Sequence, residues 1–281
     1  MLGWALALAA PCAWPTLAPT GPAGGGQVEV RFRLDRPVIT LHEPVVLEFS
    51  VRNDLAQPVT LDLGPGFVGR FRLGLVGPDG QTVQVGTSPP GDAGGGLYTL
   101  GRVTVQPGQE YRQRIVLNQW LEFRSVGMYS LAAELPRGID LAGGVSLPPQ
   151  KVRLRLEVRL RDAAALRRLC DELAARVESA QGVADASEPA LELSYVDDPV
   201  AVPYLARVLA APGLVEGVAI DGLERVGNQA AVEALIPALE SKRDGVGILA
   251  REALGRLTRR TSDPALRKRI QEALARAGRG D

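Results

Sequence analysis

Residues 151–177 read KVRLRLEVRLRDAAALRRLCDELAARV, and the apolar period changes in the middle of them. Val152, Leu154, Leu156, Val158 and Leu160 alternate with charged residues, the pattern of a strand with one buried face. After Asp162 the apolar positions become Leu166, Leu169, Cys170, Leu173 and Val177, which form one stripe along a helix. Asp162 stands at the switch and is suited to cap that helix. The chain is therefore expected to divide at this point into a strand-built part and a helix-built part.

Upstream, the period of two persists. Val28/Val30/Phe32/Leu34, Leu47/Phe49/Val51, Val59/Leu61/Leu63, Phe71/Leu73/Leu75 and Val83/Val85 all alternate with polar residues. Val103/Val105, Ile115/Leu117 and Tyr129/Leu131/Ala133 continue the series. Gly77-Pro78-Asp79-Gly80 between two of the runs is turn chemistry. About nine short strands with no helix between them predict an antiparallel β-sandwich over 27–161.

Residues Gly127-Met128-Tyr129-Ser130-Leu131, after a polar turn, resemble the tyrosine corner of immunoglobulin-like domains. The resemblance implies that the Tyr129 hydroxyl ties the corner back to backbone. The Pro107-Gly108-Gln109 turn before Tyr111–Leu117 is likewise similar to bacterial extracytoplasmic domains of this type. The paired cysteines of the antibody branch are absent.

Downstream, the sequence repeats. Residues 201–209 (AVPYLARVL) align with 231–239 (AVEALIPAL), thirty residues on. With an offset of thirty-one, Val215, Val218, Ala219, Gly222, Leu223 and Val226 fall on Val246, Leu249, Ala250, Ala253, Leu254 and Leu257. Ala190, Leu193 and Val196 trace a degenerate third copy. Gly222 against Ala253 marks a place where helices approach closely, and Leu223 is expected to be buried. Asp198-Pro199 and Asp263-Pro264 each supply a cap followed by proline in the first turn. Helix pairs of this length, with Pro203 and Pro237 in the first helices, resemble HEAT repeats of the short bacterial kind found in phycobilisome lyase-like proteins. That resemblance implies an α-solenoid over 162–281, stacked so that each pair buries its face against the next.

The residues that carry most catalytic chemistry are scarce. His42 is the only histidine, and Cys12 and Cys170 are the only cysteines, so a triad, a cysteine–histidine pair with supporting ligands and a zinc site are not expected. Cys170 lies on an apolar stripe and reads as an inert thiol. Asp197-Asp198 reads as a turn and helix cap. Gly64-Pro65-Gly66-Phe67-Val68-Gly69 fits a dinucleotide-binding pattern, but strand alternation rather than a helix follows it, so a loop is expected. Gly91–Gly96 also reads as a surface loop, and the Gly/Pro-rich 137–150 as a long one. No cofactor or metal is expected.

At the other end of the chain, Leu2–Ala10 is an apolar run too short to span a bilayer, followed by prolines and Gly21–Gly26. It fits the hydrophobic segment of a secretory signal with cleavage after Ala23. No basic residue precedes it, which leaves an atypical signal whose start lies upstream, or an apolar tail.

The sequence thus predicts a signal peptide and linker over 1–26, an immunoglobulin-like sandwich over 27–161 and a HEAT-like domain over 162–281. The formal charge is zero, which provides no overall pull on nucleic acid. Its distribution is uneven: residues 162–250 carry 7 basic and 15 acidic side chains, residues 251–281 carry 9 and 4. At about 100° per residue, Arg251, Arg256 and Arg259 fan across the face opposite the apolar stripe. They are the candidate partner-binding residues. The expected function is a non-catalytic protein-binding or scaffolding module, exported to the periplasm or beyond, with a protein or glycan partner and no transmembrane span. The alternatives are a lyase-like enzyme and a proteinase-inhibitor-like sandwich using 137–150.

Overall fold

The computed structural model describes residues 26–87, 101–136, 139–141, 146–211, 213, 215–243 and 245–278. Residues 1–25, which include the expected signal segment, and Gly91–Gly96 lie outside these residues. A β-sheet region is followed by a helical region.

Strands β1 (Val28–Leu34), β3 (Val46–Asn53) and β8 (Glu110–Val116) form an antiparallel sheet in the order β1-β3-β8. Strands β4 (Val59–Asp62), β7 (Arg102–Val105) and β10 (Ile139–Asp140) form a second, ordered β10-β4-β7. The largest sheet is ordered β2-β11-β9-β5-β6, from β2 (Val38–Thr40), β11 (Gln150–Arg159), β9 (Gly127–Leu135), β5 (Arg72–Val76) and β6 (Thr82–Gly86). The apolar residues of the period-two runs meet in one core. Leu47, Phe49 and Val51 from the first sheet, Val59 and Leu61 from the second, and Leu73, Leu131 and Leu156 from the third are all buried there. The Phe49 and Phe71 rings meet edge to face at 5.1 Å, a favoured aromatic geometry.

Two strands escaped the sequence reading. β2 is three residues long and β10 is two, too short to show a period. β2 runs parallel to β11, pairing Val38 with Glu157 and Thr40 with Arg159. β10 pairs with β4 through Ile139, which is buried. The described part of 137–150 is therefore pinned to a sheet, where a free loop was expected. The Tyr129 hydroxyl donates to the Ser125 carbonyl at 2.9 Å and accepts from the Ser125 N–H at 3.0 Å. In the glycine-rich 64–69 segment, a short turn leads directly to β5, and Gly69 N–H is spent on the Pro65 carbonyl.

The helical region contains α1 (Ala163–Ser179), α2 (Val183–Ser194), α3 (Val202–Ala210), α4 (Glu216–Val226), α5 (Gln229–Leu235), α6 (Val246–Arg260) and α7 (Pro264–Ala277). α2, α4 and α6 pack in series, while α1, α3 and α5 pack in series beside them. The caps form as the sequence suggests: Asp162 accepts from Ala164 and Ala165, Asp198 from Val200, and Asp263 from Ala265 and Leu266. Pro203 sits in the first turn of α3. Pro237 begins a tighter 3-10 stretch after α5, and Pro189 lies within α2.

Arginines close the opposite helix ends. Arg225 donates to the Ser194 carbonyl at the end of α2, and Arg243 to Leu209 and Ala211 at the end of α3. Arg260 reaches the Glu224 carbonyl in α4, and Arg267 the Thr261 carbonyl just past α6. Each cation satisfies orphan carbonyls at the negative end of a helix dipole.

Leu223 is fully buried. At Gly222, an added Cβ would lie 2.8 Å from Leu205 Cδ2 and 2.9 Å from Ser194 Cα, so α4 meets backbone there. Gly222→Ala should therefore destabilise the protein by about 1–3 kcal/mol through overpacking, measured by denaturant unfolding. An unchanged midpoint would contradict this packing.

Candidate functional site

The expected partner-binding residues lie together on α6, and Arg251, Arg256 and Arg259 are all exposed. Their surroundings differ. Arg256 forks onto Glu224 of α4, with Nε at 3.0 Å from Oε1 and Nη2 at 2.7 Å from Oε2, and lies 3.7 Å from Glu252. It therefore fastens α6 to α4. On α7, Arg269 forks onto Glu233 at 2.7 and 2.8 Å, and Lys268 approaches Glu272. Part of the basic end thus neutralises acidic residues one repeat earlier. The signal was present in the sequence, because Glu224 precedes Arg256 by about one repeat.

Sequence reasoning missed the junction between the two regions. Arg114, on β8, extends across to α2. Its guanidinium lies 3.2 Å from Asp35, 2.9 Å from Glu48, 3.0 Å from Glu188 and 2.9 Å from Glu192. Glu192 is buried, and burial raises its carboxyl while Arg114 works against that rise. Burial pulls the Arg114 guanidinium down, yet the surrounding carboxylates outweigh it and hold it above the ordinary arginine value. The partners of Arg114 lie 66–79 residues away in sequence, so no local pattern reveals them.

A second clamp joins the chain at the switch from strand to helix. Asp198 is buried against Arg161, with Oδ1 accepting from Nη2 at 3.0 Å. Burial pushes the Asp198 carboxyl up, but Arg161, the Val200 N–H and nearby charge outweigh it and leave it below its ordinary value. The Thr40 hydroxyl donates to the Leu160 carbonyl at 2.6 Å and accepts from the Asp162 N–H at 2.7 Å. The Asp197 N–H donates to the His42 carbonyl at 3.2 Å. His42 has φ 77°, a left-handed conformation uncommon outside glycine.

Between these contacts lies a hollow of about 530 Å³ lined by His42, Asn118, Phe123, Arg124, Tyr195 and Arg225, among others. Arg225 stacks on Tyr195, 3.8 Å above its ring centre. Burial raises the Tyr195 phenol, with Arg225 opposing. The hollow thus brings together an imidazole, an aromatic face, an amide and guanidinium groups. The described residues contain no group of three or more His, Cys, Asp or Glu arranged for a metal ion. Burial pushes the Cys170 thiol up to about 12, so it stays protonated and unreactive. No helix among the described residues is long and apolar enough to cross a membrane.

Asp198→Asn keeps a competent cap while removing the charge that faces Arg161. It should cost about 2 kcal/mol at pH 7. Because the folded carboxyl titrates below its unfolded value of about 3.9, wild-type Asp198 contributes this stability above that pH and loses it on further acidification. The gap between variant and wild type should therefore narrow, in pH-dependent unfolding, as the pH falls below about 3.9 and through the depressed titration of the folded carboxyl. A gap independent of pH would show that the ion pair contributes nothing.

No family model matches the chain, and no curated protein matches it. Among solved structures, the CARDB domain of a Pyrococcus furiosus protein in complex with di-metal ions is 13% identical, covering 49% of this chain and 96% of that one at a TM-score of 0.27. The sporulation control protein Spo0M of Bacillus subtilis is 15% identical over 53% of this chain and 55% of that one, at 0.26. A β-glucosidase of Listeria innocua in complex with isofagomine is 14% identical over 48% of this chain and 17% of that one, at 0.24. Likenesses of this size transfer neither fold nor function.

Proposed function

We propose that the chain is a non-catalytic protein-binding or scaffolding module acting outside the cytoplasm, an immunoglobulin-like sandwich joined to an α-solenoid of HEAT-like pairs. The parallel pairing of β2 with β11 and the Tyr129 corner support the immunoglobulin-like reading. The two series of helices, with equivalent positions about thirty residues apart, support the repeat reading.

The junction carries the functional reading. Arg114, the Arg161–Asp198 pair and the Asp197–His42 backbone bond hold a sheet region against a helical one, so surfaces on both keep a fixed relation. Fixed presentation of separate surfaces is what a scaffold requires. The burial of the Cys170 thiol and the pairing of Asp198 with Arg161 support the non-catalytic reading. A proteinase-inhibitor reading would use the 137–150 segment, whose described part is anchored by Ile139.

On this reading the α6 face formed by Arg251, Arg256 and Arg259 takes an acidic partner; Arg256 is kept as arginine in the test because it also ties α6 to α4 through Glu224. The immobilised full chain should retain a partner from envelope extract. Replacing Arg251 and Arg259 with Glu should reduce retention at low salt while shifting the melting temperature little, and the difference should shrink at high salt. Equal retention by both proteins would remove α6 from the interface. Chemical conversion of the retained partner would overturn the non-catalytic reading.

A further inference from the structure

We propose that the outer face of the five-stranded sheet is a second docking surface, which takes an extended acidic segment of a partner protein lying along β11. Its basis is a break in the pattern of arginine pairing. Most arginines described in residues 26–161 have a carboxylate within ion-pairing distance: Arg31 with Glu29, Arg33 with Glu48, Arg52 with Asp54, Arg70 with Asp62, Arg112 with Glu110, and so on through Arg161. Among the described residues of 26–161, Arg72, Arg153 and Arg155 have no carboxylate within that distance, and all three lie on this one face. Lys151, beside them, is 3.5 Å from Glu134.

The register shows what surrounds the two neighbouring arginines on β11. Arg155 is in line with Ser130, Val76 and Thr82, and Arg153 with Ala132, Gly74 and Gln84. The middle of the sheet is thus surfaced by small residues: a Cβ at Gly74 would make ordinary contacts with Ala132 Cβ at 3.6 Å and Gln84 Cγ at 3.7 Å. A shallow hollow of about 620 Å³ opens against Ser130, Arg153, Leu154 and Arg155. On the same face, Val76 pairs with Ser130 and Met128 lies two residues before it on β9, both exposed apolar residues, 38% and 53% accessible.

Spacing and charge together select the occupant. Arg153 and Arg155 are two residues apart on a strand, about 6.6–6.8 Å along its axis. An extended peptide repeats its side chains at the same interval, so carboxylates at alternate positions meet successive guanidinium groups in register. Each such contact is a charge-assisted, potentially bidentate pair. The low centre lets the peptide backbone approach, and the apolar border offers its intervening side chains a dry contact. This surface is separate from α6.

The test uses the full chain and two synthetic peptides of identical composition. In one, Glu alternates with Thr; in the other, the Glu residues form a block. The alternating peptide should bind more tightly, and Arg153→Glu with Arg155→Glu should weaken it by about tenfold or more without lowering the melting temperature. The Arg251/Arg259 variant should bind this peptide like wild type, which separates the present proposal from the α6 reading. Three outcomes would overturn it. They are equal affinity for both peptides, equal binding by the Arg153/Arg155 variant, or Arg153/Arg155-dependent binding of a sulfated oligosaccharide or anionic vesicles when the peptide fails.

Discussion

A guanidinium removed from water needs anionic partners arranged around it, and Arg114 finds them only where the sheet region and the helices meet. Asp35 and Glu48 approach it from the strands, Glu188 and Glu192 from α2. Glu192 is itself buried and has little solvent to replace Arg114. Separating the regions would expose these charges to water again, whereas deleting one partner in place would leave the others uncompensated. Such a cluster discriminates strongly between orientations, because a small rotation loses directed hydrogen bonds that plain apolar contact would tolerate. The orientation of α2, and through α2–α4 packing that of the later helices, follows from this point.

The same side chain serves a different purpose further along. Arg225, Arg243, Arg260 and Arg267 each reach backbone carbonyls at a helix end, and Arg225 to Ser194, Arg243 to Leu209 and Arg260 to Glu224 all link one helix pair with the one before. The long, planar side chain suits this role, since it packs its stem across a neighbouring helix and still offers several N–H donors. Arg243 does so with two nitrogens, Nη2 donating to the Leu209 carbonyl and Nη1 to the Ala211 carbonyl. The arginine-rich composition is therefore put to structural use in the helical half.

Legibility in the sequence followed the range of the interaction. Local rules revealed the alternating strands and the caps at Asp162, Asp198 and Asp263, and the resemblance to a tyrosine corner anticipated the Tyr129 tie to backbone. Internal repetition revealed the close approach at Gly222, because comparison with Ala253 exposes a steric limit. Periodicity could not detect β2 or β10, which are shorter than the pattern that would announce them. The Arg114 cluster was invisible because its members are dozens of residues apart and each looks like an ordinary surface charge. Arg256 was read as part of an outward basic face, and its tie to Glu224 was missed for the same reason: it depends on how successive pairs stack.

The parallel alignment of β2 with β11 has a mechanical consequence. The chain enters β2 at one end of the pair and leaves β11, toward Asp162, at the other. Tension applied between the amino-terminal side and the helices would therefore pull the two strands along their length, in shear. The bonds from Glu157 N–H to the Pro37 carbonyl and from Leu41 N–H to the Arg159 carbonyl would share that load with the ladder between them. They would have to yield together, whereas a hairpin opened from its end unzips one bond at a time.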